Sequence, residues 1–170
     1  MPPDSSPRST NLLADPSWRP SPRAKTLWTA QIALSWLFVF VVLLGWVVFD
    51  ADRRAWQAVV APVVLVVAAL TTLVVPRWRY RVHRWEVTDE AVYSRSGWLT
   101  QESRVAPISR VQTVDTERGP LERILDLSTI TVTTASSAGA VHISLLDRAV
   151  AEQTVTRLTE FAARHRGDAT

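Results

Sequence analysis

LWTAQIALSWLFVFVVLLGWVVF occupies residues 27–49 and WQAVVAPVVLVVAALTTLVV occupies residues 56–75, with only Asp50-Ala51-Asp52-Arg53-Arg54-Ala55 between them. No charged side chain lies between Lys25 and Asp50, and none between Arg54 and Arg77. A helix rises about 1.5 Å per residue and the hydrocarbon core is roughly 30 Å thick, so about 20 apolar residues cross it. The pattern predicts two transmembrane helices, residues 27–49 and 56–76, joined by an extracytoplasmic turn at residues 50–55.

Tryptophan placement supports the same reading. Trp28 and Trp46 lie towards the ends of the first span, and Trp56 and Trp78 bracket the second. Amphipathic indoles favour the headgroup level, so these four are expected to be interfacial anchors. Arg19, Arg23 and Lys25 precede the first span, and Arg77, Arg79, Arg81 and Arg84 follow the second. The turn carries Arg53 and Arg54 beside two aspartates. By the bias of Lys and Arg towards the inside, both termini are expected in the cytoplasm of a multi-pass inner (plasma) membrane protein. The polar residues noted in the spans, Gln31, Ser35, Thr71 and Thr72, are not ionisable, so no ion path or proton relay is expected. Pro62 is expected to bend the second helix slightly.

Outside the spans the composition excludes more than it names. There is no cysteine, which removes disulfides, thiolate metal sites and thiol nucleophiles. His83, His142 and His165 lie far apart and form no ligand-spaced motif. Lys and Arg exceed Asp and Glu by three, but the arginines sit beside acids or beside the hairpin, so no nucleic-acid partner is expected. No metal, cofactor or catalytic constellation is expected, and the chain reads as non-enzymatic. Residues 1–26, rich in proline and serine, are expected to form a disordered cytoplasmic arm.

Arg77-Trp78-Arg79-Tyr80-Arg81-Val82-His83 alternates basic and apolar residues, which predicts an extended strand with two unlike faces. One face would present Arg77, Arg79 and Arg81 to anionic headgroups, with Arg84 following. From there a cytoplasmic domain is expected over residues 77–165, built of six to seven short antiparallel strands. Strands are read at Trp85–Val87, Ala91–Arg95, Leu99–Val105, Ile108–Thr116, Ser128–Thr134 and Ala140–Leu145, with a hairpin loop at Ser136-Ser137-Ala138-Gly139. Pro120 suits a single helical turn. A closing helix runs from about Arg148 to Arg164, with Asp147 as its N-cap. Ala151, Val155, Leu158 and Ala162 form its apolar stripe, with Phe161 alongside. The architecture expected is a membrane helical hairpin carrying a small β-barrel or sandwich capped by that helix. His142, between Val141 and Ile143, should point outward.

Val87-Thr88-Asp89-Glu90, Ser94-Arg95-Ser96-Gly97-Trp98-Leu99, Arg104-Val105-Ala106-Pro107-Ile108-Ser109-Arg110-Val111-Gln112-Thr113-Val114 and Gly119-Pro120-Leu121-Glu122-Arg123-Ile124-Leu125-Asp126-Leu127 come in an order that resembles the bacterial pleckstrin-homology-like domain bPH2. With the preceding hairpin, the chain resembles YdbS-like members of that family; the loop 135–139 departs from their glycine-rich version. The resemblance implies a membrane-tethered PH-like barrel and no reaction. It also implies a membrane complex, since members are often paired with a longer protein bearing several such modules. The expected partners are therefore membrane lipids and another membrane protein or a second copy. The function expected is a non-catalytic interaction module, a subunit or scaffold of such a complex, with anionic-lipid binding by the arginine cluster as the alternative.

Overall fold

A computed structural model describes residues 16–135 and 139–167. Two long helices come first: α1, Ala24–Phe49, and α2, Arg54–Val82, joined by a 3₁₀ turn at Ala51–Arg53. Both are long and apolar enough to cross a membrane. Their side chains face outward, with Phe38 72%, Leu44 63% and Leu65 60% exposed, which a helix in a water-soluble core would not show. Three polar contacts brace the pair. Trp36 Nε1 donates to Thr71 Oγ1 across the helices (2.9 Å), and Gln57 Nε2 donates to the carbonyls of Asp50 (2.6 Å) and Trp46 (3.2 Å) at the turn. Gln57 carries no signal in the sequence, yet it is one of the few buried polar groups of the hairpin.

The domain that follows holds two three-stranded antiparallel sheets. One is β1 (Arg84–Val87), β2 (Ala91–Gly97) and β3 (Gln101–Pro107); the other is β4 (Val111–Glu117), β5 (Leu127–Thr134) and β6 (Val141–Asp147). A 3₁₀ turn at Ile108–Arg110 passes the chain from one sheet to the other, α3 (Pro120–Ile124) links β4 to β5, and α4 (Arg148–Gly167) closes the domain. The expectation of a barrel or sandwich is corrected in one respect: among the described residues there are six strands, and they do not close into a barrel. Across the gap, single side chains replace ladder bonds. Ser94 Oγ on β2 donates to the His142 carbonyl on β6 (2.6 Å), and Arg104 on β3 donates to the Ala140 carbonyl (2.9 Å).

Val92, Ala106, Ile108, Ile130, Val132, Val141, Ile143 and Leu146 fill the space between the sheets, and Ala151 and Leu158 of α4 cover it. Val155, Phe161 and Ala162 pack beside them, as the 3.6-residue period requires. His142 points outward, where its ring meets Thr131 Oγ1 at 3.1 Å. On β6 the alternation Val141, Ile143, Leu145 breaks at its last member. Leu145 takes φ 60° beside a bulge in the β5–β6 register, which turns Leu146 into the core and Leu145 out of it. A positive φ is disfavoured for leucine, so tertiary packing must hold it there. Leu145 buries instead in a second cluster with Ala24, Leu27, Trp28 and Leu127, flanked by Tyr80, Leu121 and Leu125. That cluster joins the helical hairpin to the domain.

Residues 16–23 depart from the disordered arm expected over 1–26; residues 1–15 lie outside those described. Trp18 pairs with Trp85 through backbone bonds of 3.0 and 2.9 Å, extending the β1 edge, and Ser21 N donates to the Leu145 carbonyl (2.9 Å). Ser21 Oγ donates to Asp147 Oδ1 (2.8 Å), so the aspartate expected at the N-cap of α4 holds the segment that precedes α1. Low hydrophobicity hides this order in the sequence, because the bonds are long-range and involve the backbone, which composition does not report. The loop expected at 136–139 lies, save Gly139, outside the described residues.

Candidate membrane-facing site

α2 runs seven residues past Val75, through Pro76 to Val82, so the strand expected over residues 77–83 is helix up to Val82, with His83 extended as its cap. Nothing between Arg77 and Val82 is a strong helix breaker, and each residue there extends the ladder by one bond. At about 100° per residue the arginines part company. Arg79 turns away from Arg81 and packs its guanidinium 4.6 Å from the Trp28 ring. Arg79 is half-buried, and its Nε makes no hydrogen bond among the described residues. Trp28 is only 3% exposed, so of the four expected interfacial anchors it is buried within the protein, whereas Trp56 and Trp78 are 67% and 50% exposed and Trp46 is half-buried.

His83 ends the helix. Its backbone N–H and ring Nδ1 both lie within hydrogen-bonding distance of the Arg79 carbonyl, at 2.9 and 2.8 Å, and its ring stacks obliquely on Trp28 with centroids 5.0 Å apart. Burial pushes the imidazole pKa below its ordinary value; the Arg79 charge adds to this, while the bond to the Arg79 carbonyl opposes it. The folded state therefore binds fewer protons at His83 than the unfolded state. Its contribution is complete above about pH 6.5 and is lost as the pH falls below that. We expect amide exchange at residues 79–84 of the full chain to accelerate between about pH 7.5 and about pH 5, after correction for intrinsic rates, and His83→Gln to abolish the difference. Equal acceleration in the variant would exclude His83 as the titrating group.

On the outer side, Trp78, Arg81, Val82, Arg84, Arg95 and Gln101 line a groove of about 270 Å³. The β1–β2 hairpin turns at Thr88-Asp89-Glu90, and its register sets Arg84 directly opposite Arg95. That register sets the two side chains on the same face of the sheet. Arg95 also donates from Nε to Ser103 Oγ (3.4 Å). No carboxylate lines the groove among the described residues. Arg77 lies elsewhere, in a cleft of about 490 Å³ between the helices with Lys25, Thr26, Thr29 and Pro76. The structure thus brings together two of the four expected headgroup arginines, Arg81 and Arg84, adds Arg95, sends Arg77 to the interhelical cleft and turns Arg79 onto Trp28. Folding the hairpin about its polar turn pairs 84 with 95, so a signal for Arg95 was present in the sequence.

A family model described as bacterial PH domain matches residues 30–162. The UPF0699 transmembrane protein YdbS of Bacillus subtilis (strain 168) is 31% identical over 85 residues, which is 50% of this chain and 54% of that protein. The match thus spans about half the length of that relative. No solved structure matches.

Proposed function

The chain belongs to the bacterial PH domain family, and from that premise we propose that it is a non-catalytic interaction module, fixed at the inner face of the plasma membrane as a subunit or scaffold of a membrane-protein complex. One observation carries the reading. α2 passes into β1 with His83 as the sole intervening residue, and the segment before α1 is bonded to β1 and β6. A domain gripped on both sides of its anchor cannot range through the cytoplasm for soluble substrates; it presents fixed faces to whatever shares the bilayer. The arginine excess at the domain end of the hairpin supports cytoplasmic termini. Mild-detergent extraction after cross-linking in intact cells tests this. A second membrane protein or a further copy is expected in stoichiometric yield, and a cross-link-free monomer in every detergent would refute the assembly role.

The groove favours a second reading alongside it. Arg81, Arg84 and Arg95 line one groove, and that gathering of guanidinium groups suits the phosphate of an anionic lipid headgroup.

A further inference from the structure

The turn between β2 and β3 carries two apolar residues at its tip, Trp98 and Leu99, where turns ordinarily carry polar ones. Their placement there is enforced. Gly97 holds φ 120°, and a Cβ at that position would stand 1.9 Å from the Thr100 carbonyl oxygen. Trp98 is 45% exposed and Leu99 80% exposed. The tip is also pinned: Trp78 Nε1 donates to the Trp98 carbonyl at 2.8 Å. Trp78 is the second residue after Pro76, where the uncharged stretch of α2 ends, and is itself half exposed. Its indole therefore sits where the helix leaves the hydrocarbon, the level such rings prefer. A backbone atom within hydrogen-bonding distance of that indole lies at the same depth. Trp78, Trp98 and Leu99 then form one apolar patch continuous with the span, beside the groove that holds Arg81, Arg84 and Arg95.

We infer that the β2–β3 turn is a second membrane-insertion point, with Leu99 and the Trp98 ring immersed in the headgroup and upper acyl region of the leaflet that α2 leaves. This rests on the reading of α1 and α2 as membrane-spanning. The arginines beside the turn would lie level with lipid phosphates, and the apolar tip just below them, an amphipathic order matching that of the leaflet. A partner protein or a second copy could cover the same patch, and the test separates these from lipid.

The chain has no cysteine, so Leu99→Cys, Leu70→Cys and Thr159→Cys can each carry a single environment-sensitive NBD label in the full chain reconstituted into liposomes. All three positions are exposed, so the substitutions leave the core intact. Quenching is read with spin-labelled phospholipids bearing the nitroxide just below the headgroup or near the chain end. The label at Leu99 is expected to emit to the blue and to be quenched more by the shallow nitroxide. The Leu70 label should respond more to the deep one, and the Thr159 label to neither. An aqueous, unquenched label at Leu99 with a normal Leu70 response would overturn the insertion while leaving the span intact. A blue-shifted but unquenched Leu99 label would show a protein cover and overturn it equally. An unquenched Leu70 label would remove the spanning premise and the inference with it.

Discussion

Trp28→Ala is expected to destabilise the joint between hairpin and domain by about 3–5 kcal/mol, the range for emptying a large buried aromatic site. Trp28 is 3% exposed and is touched from three directions: Leu127 and Leu145 of the domain share its cluster, His83 meets its ring, and Arg79 lies over it. Its loss leaves a cavity and also strips Arg79 of its π partner while leaving the arginine's Nε buried and unpaired. The effect should concentrate at the joint. In detergent or lipid, proteolysis should begin at residues 16–23 and 82–84, and the melting transition should fall, while exchange protection of β5 and its neighbours persists longest. Trp56→Ala supplies the contrast, since Trp56 is 67% exposed and lies at the far turn. If the two variants melt alike, Trp28 is not the pivot of the joint.

Arg81→Gln, Arg84→Gln and Arg95→Gln together should abolish preference for anionic over neutral lipid. At about 1 kcal/mol for each arginine near an anionic surface, the set amounts to about 3 kcal/mol, roughly a 150-fold change in relative affinity. The full chain can be purified with its annular lipid and the retained species weighed by native mass spectrometry, at low and at high salt, since screening should weaken the preference in the parent chain. Arg79→Gln discriminates. Its side chain is turned towards Trp28, so it should lower the melting temperature with lipid selection unchanged. Unaltered selection in the triple variant, or an equal loss in Arg79→Gln, would dismiss the groove as a headgroup site.

The hairpin, most of the strands and the closing helix were legible because each rests on a periodicity that burial imposes, though residues 99–100 and Ile108–Arg110, read into strands, form a turn and a 3₁₀ turn. The exceptions share a cause. Residues 77–83 alternate like a strand, yet the helix continues through Val82, because a long helix is extended residue by residue more readily than it is broken. Leu145 continues the inward phase of β6 in sequence but leaves it in space, since a bulge and a positive φ rotate it under α1. Trp28 looks like an interfacial indole until Arg79 and His83 close over it. The site suffered most from the same blindness: helical phase decides which arginines meet, and hairpin register, not proximity in sequence, brings Arg95 to Arg84.

The segment that ties the domain shut has a bearing on how the protein comes to be made. Ser21 and Asp147 are 126 residues apart in the chain, yet their side chains bond at 2.8 Å. Joining such distant points in a free polymer is slow and entropically unfavourable. On the reading of α1 and α2 as membrane-spanning, both helices lodge in the bilayer first, Ala24 and Val82 lie at the same end of the pair, and the span of unfixed chain is shortened to the domain alone. Synthesis proceeds from the N-terminus, so the Trp18–Ser21 segment waits beside the membrane until β1 and then β6 reach it. On that reading the bilayer acts as a folding template, and β6 completes the lock.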